Sequence, residues 1–306
     1  MCGSGTVFEI HVCIADYKYH QSEGGDNAGA FKRDVGQVSK KVLNDTEEYK
    51  MKRFMGTLFM AAIFSLLASG VALATPSTQI WIPSTDIQAY KTLHLGIDNY
   101  IRVKKDSTGN YWPIITDIGL TAGVLPFEKL QMEVGVDYIR YGSSTYDNAP
   151  IYFNAKLGTP ENSMFNNSPA LAVGVYNVGT KGGNVFHNTQ QDIVYGLAAK
   201  SVPIIGRISA GWYAGNGGNI NFKDHHGNTD NNGVLLSWDR VMSEIDDRLW
   251  LGVDYQGGDN AYGAVNVGAS WAFSKNVSLI VGYDIYTRKA TGGQPTFTTQ
   301  LDINFP

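Results

Sequence analysis

Residues 92–103, TLHLGIDNYIRV, alternate between apolar side chains and polar or small ones. One set of alternate positions holds Leu93, Leu95, Ile97, Ile101 and Val103. The other set holds His94, Gly96, Asp98, Tyr100 and Arg102. Because successive side chains of a β-strand point to opposite faces, this period of two predicts a strand with one apolar and one polar face.

The same alternation recurs to the end of the chain, as in LQMEVGVDY at 130–138, and no stretch shows a convincing helical period. Most segments are about as long as the 9–11 residues that a tilted strand needs to cross a bilayer. The sequence therefore predicts an all-β fold, a transmembrane antiparallel up-and-down β-barrel of about twelve strands, within a range of 10–14. The predicted strand cores are 92–103, 113–124, 130–141, 150–158, 169–178, 191–200, 206–215, 233–240, 248–256, 262–273, 277–287 and 296–305.

The links between these segments also alternate in length. Short links at 125–129, 201–205 and 273–276 are interleaved with longer links that are rich in Gly, Asn and Asp, whereas 159–168 is long where a short link is expected. Short turns at one end and long loops at the other are typical of membrane barrels. Aromatic residues near the strand ends predict interfacial girdles, and they include Trp112, Phe127, Tyr138, Tyr141, Trp271, Phe273, Tyr286 and Phe305.

The segment 51–74 has the three parts of a secretory signal peptide. Lys52 and Arg53 precede an uncharged apolar run, and small residues follow that run up to Ala74. This pattern predicts cleavage between Ala74 and Thr75. The apolar run is short for a membrane-spanning helix, which needs about 20 residues.

Residues 1–50 precede this export signal, and we interpret them as an over-extended N-terminus ahead of a true start at Met51. Both cysteines, Cys2 and Cys13, fall in this stretch, so the predicted mature protein has none. The alternative is a signal-anchor helix that leaves residues 1–50 in the cytoplasm.

Residues 75–91, TPSTQIWIPSTDIQAYK, lie between the predicted cleavage site and the barrel, which is predicted at 92–306. The segment contains Trp81 and Pro83, and it shows no clear period of either kind. Two arrangements remain open, a periplasmic leader and a small plug within the lumen.

Composition and charge exclude several classes of function. The formal net charge is −4 and no basic face is present, so nucleic acid is not an expected partner. The sequence has no phosphate-binding loop or dinucleotide fingerprint, and no cofactor is expected.

The strands of a soluble sandwich or a lipocalin-like barrel would also show alternating apolar and polar residues. However, charged residues share a face with mid-strand glycines, as Asp98 does with Gly96, which favours a crowded, wet lumen.

The last predicted strand, in TFTTQLDINFP, resembles the C-terminal strand of Gram-negative outer-membrane β-barrels of porin-like type. Members of that family end on an aromatic residue that the assembly machinery reads, with apolar residues at alternate positions before it. Phe305 matches the aromatic, and Phe297, Leu301 and Ile303 match the alternate positions, although Pro306 follows. The resemblance implies an outer-membrane location. It also implies outer-membrane lipid, the export and barrel-assembly machineries, and small polar solutes or ions as partners.

The polar faces predict a mixed, slightly acidic lumen. A lumen of this kind could form a narrow passive channel that prefers cations. Alternatively, its ion pairs could close a structural or adhesion barrel that acts through its extracellular loops. The predicted lumen-lining residues are Asp98, Asp117, Glu133, Asp137, Asp192, Asp239, Asp254, Asp284 and Asp302, with Arg102, Lys156, Lys200, Arg207 and Arg248.

Metal and catalytic sites are not expected. The stretch NFKDHHGNTDNN at 221–232 has adjacent histidines, which point in opposite directions on an extended chain, and it lacks the spacing of an EF-hand. The remaining histidines downstream of the signal segment, His94 and His187, accompany no recognisable nucleophile motif. An outer-membrane hydrolase with its site at the rim is the third hypothesis.

Overall fold

The computed structural model describes residues 77–106, 108–184 and 187–306. The predicted signal peptide, its cleavage site at Ala74 and Thr75, and residues 1–50 lie outside these ranges. The strands are Leu93–Arg102 (β1), Ile115–Gly123 (β2), Gln131–Arg140 (β3), Ile151–Thr159 (β4), Ala170–Gly179 (β5), Ile193–Val202 (β6), Gly206–Ala214 (β7), Asn232–Val241 (β8), Leu249–Gln256 (β9), Ala264–Ala272 (β10), Val277–Tyr286 (β11) and Thr296–Phe305 (β12).

Helical structure in these ranges is limited to one turn at Ser144–Asp147 (α1) and a 3₁₀ turn at Ile220–Phe222. Neither helix of the described part has the length and apolarity that crossing a membrane would require.

The twelve strands form one closed antiparallel barrel. Each strand pairs with its neighbours in sequence, and β12 pairs with β1 to close the sheet. That closing register runs from Leu93 opposite Phe305 to Arg102 opposite Thr296. The predicted fold class is confirmed, and each observed strand begins and ends within two residues of its prediction.

Period-two alternation divides the barrel into two surfaces. On β3, Val134, Val136 and Tyr138 point outward and are exposed, whereas Glu133 points inward and is buried. The other strands repeat this pattern, which leaves an apolar belt on the outside of the barrel. The exposed apolar residues of this belt include Ile118, Leu120, Phe153, Val173, Val194, Ile208, Trp212, Leu236, Val253, Val267, Val281 and Phe297. A belt of this kind is stable when it faces lipid.

The two ends of the barrel differ in their links. We call the end where β1 begins and β12 ends the near end, and the opposite end the far end. The near end has the shortest links of the described chain, 203–205 and 273–276, and the far end has the longest, 215–231. The near-end link 160–169 is the long exception that the sequence indicated.

The aromatic residues at strand ends do not all face outward. Phe127 and Phe273 are 58% and 63% exposed at near-end turns, as the girdle prediction requires. Tyr141 and Tyr286 point into the lumen instead, and Tyr286 is only 7% exposed. The girdle prediction is wrong for these two tyrosines because a position near a strand end does not fix the face. On β11, Tyr286 shares its parity with the inward-facing Asp284.

The belt predicts a depth-dependent cost for charge on the outer surface. Val136 lies at the middle of β3, whereas Leu93 is the first residue of β1, and both are exposed. We expect Val136→Arg to lower the free energy of unfolding in lipid vesicles by about 2–4 kcal/mol, and Leu93→Arg by about 0–1 kcal/mol. Denaturant titration of the refolded variants measures both values. Equal costs at the two positions would contradict a bilayer around the belt.

Candidate functional site

We call residues 77–91 the inner segment; residues 77–88 lie inside the barrel, and Ala89, Tyr90 and Lys91 are exposed at its near end. Thr78 pairs with Pro83 in an isolated antiparallel bridge, so the chain between them forms a tight turn. Ile80 and Ile82 in this turn are 1% and 0% exposed. This turn therefore occupies the lumen.

Asp254 on β9 is the main anchor of this turn. Its Oδ2 atom accepts backbone hydrogen bonds from Ile80 at 2.8 Å, Trp81 at 2.9 Å and Ile82 at 3.4 Å. Its Oδ1 atom accepts a hydrogen bond from the Asn266 side chain at 2.6 Å. Buried polar groups are costly unless they are paired, and here one carboxylate and three backbone N–H groups satisfy one another.

Ile80 in this turn packs against β10, β11 and β12. A Cβ atom on Gly268 would lie 3.1 Å from Ile80 Cδ1, and one on Gly282 would lie 3.3 Å from Ile80 Cγ2. The Gln300 side chain donates to the Ile80 carbonyl oxygen at 2.6 Å. Glycines on the strand wall thus provide the space in which Ile80 fits.

Ionic contacts hold the rest of the inner segment toward the near end. Lys156 and Glu133 form an ion pair of 3.0 Å with both side chains buried. Glu133 also accepts the Gln88 backbone N–H at 2.7 Å, and Lys156 donates to the carbonyl oxygens of Ser77 and Asp86. The pair therefore contacts the inner segment at three of its residues.

A second cluster joins the segment to β7 and β8. Arg207 contacts the carboxylate of Asp86 at 2.7 Å and that of Asp239 at 3.0 Å. The side-chain amide of Gln79 donates to Asp239 Oδ1 at 3.0 Å. Asp86 lies on the inner segment and Asp239 lies on β8, so Arg207 links the segment to the barrel wall.

The lumen also contains an apolar core, which the sequence did not indicate. Ile82 packs in a buried cluster with Phe222, which comes from the far-end link 215–231. The other buried members are Ile193, Tyr195, Leu197, Tyr213 and Leu235 on β6, β7 and β8. The inner segment and a far-end loop together fill the β6–β12 side of the lumen.

A cavity of about 520 Å³ remains, and its strand lining comes mainly from β1–β5. Three carboxylates, Asp98, Asp117 and Asp137, line it from β1, β2 and β3. Asp98 lies directly opposite Asp117 in the strand register, and Asp137 lies opposite Gly119. A Cβ atom on Gly119 would lie 2.7 Å from Asp137 Oδ1, so the glycine makes room for this carboxylate.

No Lys, Arg or His side chain of the described ranges forms an ion pair with these three carboxylates, in contrast to Glu133, Asp239 and Asp302. Asp137 accepts a hydrogen bond from the Asn154 side chain at 2.7 Å. Within the described ranges, Asp98 and Asp117 make no hydrogen bond or ion pair, and Asp117 Oδ1 is a buried acceptor without a partner. The cavity wall therefore carries unneutralised acceptor groups.

Aromatic rings face the same cavity. The Trp81 ring centroid lies 5.3 Å from that of Tyr100, 5.7 Å from Tyr286 and 6.2 Å from Tyr262. The Arg102 guanidinium lies 4.7 Å from the Tyr286 ring centroid and donates to the Gln294 carbonyl oxygen. None of the tyrosines was predicted to line the lumen, although Tyr100 shares its strand face with Asp98.

Most of the predicted lumen residues face inward. One group lines the cavity, and the other faces the inner segment or lies on the filled side. The first group is Asp98, Arg102, Asp117, Glu133, Asp137, Lys156 and Asp302. The second is Arg207, Asp239, Asp254 and Asp284.

Lys200 corrects the prediction on β6. The inward positions of that strand are Ile193, Tyr195, Leu197 and Ala199, so Lys200 faces outward and pairs with Glu161 at 2.8 Å. Partial burial alone would raise the pKa of Glu161, but the hydrogen bonds from Lys200 and Ser201 outweigh it and lower the pKa. The prediction fails because the inward face of β6 is apolar.

Arg248 and Asp192 also lie off the lumen wall. Arg248 precedes β9, its side chain is 57% exposed, and it binds Asp246 at 2.7 Å. Hydrogen bonds from Arg248 lower the pKa of Asp246 to about 2. Asp192 ends the link before β6 with a left-handed φ of 46°, and it does not line the cavity. β9 starts one residue later than predicted and β6 starts two residues later, which places Arg248 and Asp192 in the links.

The histidines contact carbonyl and carboxylate groups. His94 lies 2.9 Å from Asn304 Oδ1 and 3.4 Å from Asp302, and His225 lies 2.6 Å from Asp259. In the described part of the chain, no histidine side chain hydrogen-bonds to a hydroxyl group, and no group of acidic, His or Cys side chains could hold a metal ion.

No family model matches the sequence, and neither does any curated protein. An outer membrane channel from Pseudomonas putida F1 is 12% identical, with a TM-score of 0.42 over 72% of this chain and 96% of the channel. The KdgM porin is 8% identical, with a TM-score of 0.44 over 70% and 98%. Outer membrane phospholipase A from Escherichia coli is 11% identical, with a TM-score of 0.40 over 72% and 95%. At such values, none of these proteins assigns an activity to this chain.

The contacts of Asp254 predict that its charge holds the inner segment. We expect Asp254→Asn to raise the amide exchange rates of Ile80, Trp81 and Ile82 at least about tenfold, because an amide offers one acceptor oxygen in place of two. Mass spectrometry of deuterium exchange measures this change.

Asp284→Asn is the matched control, because Asp284 accepts a hydrogen bond from Thr296 at 2.6 Å and none from the inner segment. Unchanged exchange in Asp254→Asn, or an equal rise in both variants, would show that the carboxylate does not anchor the segment.

Proposed function

We propose that this protein is a narrow passive channel of the outer membrane for small cations and small polar solutes. The observation that carries the proposal is the division of the lumen into a filled β6–β12 side and a β1–β5 side with a cavity. In this arrangement, solutes pass along the β1–β5 wall, and the inner segment limits the width of the path.

Charge pairing supports a preference for cations. Lys156 is neutralised by Glu133, and Arg207 by Asp86 and Asp239. Asp98, Asp117 and Asp137 on the cavity wall have no such partners, and Arg102 is the one cavity-lining arginine of the described chain. Fixed charges that lack partners set the sign of the ions that a constriction favours.

The outer membrane is the proposed location because of the apolar belt and the signal peptide that the sequence predicts. With the near end in the periplasm, the longer links face the outside, as in outer-membrane barrels. Phe305 lies on the outward face of β12 with Phe297, Leu301 and Ile303, which presents the proposed assembly signal on one surface.

The second candidate is a closed structural or adhesion barrel that acts through its far-end loops. It is favoured by the filled side of the lumen, where the inner segment and Phe222 exclude solvent. A rim hydrolase is the third hypothesis, and it requires a nucleophile within hydrogen-bond reach of a base.

Single-channel recording tests the proposal directly. We expect the refolded protein in a planar bilayer to give discrete current steps, with a reversal potential in asymmetric KCl that shows a preference for K⁺ over Cl⁻. Replacing Asp98, Asp117 and Asp137 together by Asn removes the unpaired charge, and we expect it to bring the K⁺ to Cl⁻ permeability ratio close to one.

Asp284→Asn removes a lumen carboxylate from the filled side, and it should keep the cation preference. Absence of current from protein whose gel mobility shifts on boiling, as a folded barrel's does, would favour the closed barrel. A preference for anions would overturn the assignment of the path to the carboxylate wall.

A further inference from the structure

We propose that the cavity binds an organic cation, an ammonium group attached to an aromatic or aliphatic body. This inference rests on the proposed function and names the class of solute that the lumen path selects. It is carried by the juxtaposition of unpartnered carboxylates and aromatic rings around one cavity.

The carboxylate wall needs hydrogen-bond donors. Asp98 and Asp117 lie side by side in register, and Asp117 Oδ1 is buried without a partner in the described chain. An ammonium group carries one positive charge and up to three N–H donors, so it satisfies two neighbouring carboxylates at once. Among the described residues, no group of three or more Asp, Glu, His or Cys side chains is placed to hold a metal ion.

The aromatic residues suit the rest of such a molecule. Trp81 approaches Tyr100 and Tyr286 edge-to-face, with interplanar angles of 87° and 88°, and all three rings line the cavity. Ring faces attract cations and stack with apolar bodies. The chain already uses this interaction, since the Arg102 guanidinium lies over the Tyr286 ring at 4.7 Å.

Size is consistent with a small organic molecule. The cavity volume of about 520 Å³ falls within the range of about 300–1,000 Å³ that is typical of small-molecule sites. A hydrated alkali ion needs neither this volume nor aromatic walls. The combination therefore favours an amine with an apolar body over an inorganic cation.

Equilibrium binding to the folded full chain in detergent tests the inference without any need for transport. The probe is 2-phenylethylammonium, and its neutral analogue 2-phenylethanol is the control ligand. We expect saturable binding of the amine by calorimetry, at least about tenfold tighter than that of the alcohol. Asp98→Asn combined with Asp117→Asn should weaken amine binding at least about tenfold, whereas Asp284→Asn should leave it unchanged.

A second pair of variants tests the aromatic wall. Tyr100→Leu should weaken amine binding, and Tyr100→Phe should retain it, because the ring face and not the hydroxyl group contacts the ligand. Equal affinity for the amine and the alcohol, or no saturable binding by folded protein, would overturn the inference.

The outcomes for binding and for conduction are separable. Current without amine binding would leave the channel standing and refute the organic-cation site. Amine binding without current would uphold the site and refute the channel.

Discussion

Closure of the sheet is the constraint on which the rest of this molecule depends. A chain in lipid has no water to pair its backbone N–H and C=O groups, so a spanning sheet must have no free edge. The pairing of β12 with β1 meets this demand. Closure then separates two environments, and the period-two alternation assigns apolar side chains to the outside and most polar ones to the inside.

A closed sheet of twelve strands encloses more space than its own side chains fill, since about eight strands suffice for a filled interior. Here the filling comes from two segments outside the strands, the inner segment 77–91 and the link 215–231. Asp254 secures the first through three backbone N–H groups, and Phe222 brings the second into the apolar core. The turn at Ile80–Ile82 and Phe222 lie toward β6–β12, so the open space and the cavity carboxylates Asp98, Asp117 and Asp137 remain on the other side.

The sequence predicted the strands well because alternation is a local signal. It also placed Asp98, Asp117 and Asp254 on the inward face. It left the inner segment's position open between a periplasmic leader and a plug, because residues 77–91 have no period and their partners are distant, Ile80 and Asp254 being 174 positions apart. Lys200 was misplaced for a related reason: the inward face of β6 is apolar only because Ile82 and Phe222 pack near it, and the strand's own sequence does not show this.

Thiol modification of the refolded protein shows whether the proposed solute path runs along the β1–β5 side of the lumen. Thr121 lines the cavity, and Thr298 on β12 is 0% exposed on the filled side. Each is replaced by Cys in a chain whose Cys2 and Cys13 are Ser, and a trimethylammonium methanethiosulfonate reagent is added during single-channel recording. We expect a stepwise loss of current in Thr121→Cys and none in Thr298→Cys. Block of Thr298→Cys with Thr121→Cys unaffected would place the path on the opposite side and contradict the proposal.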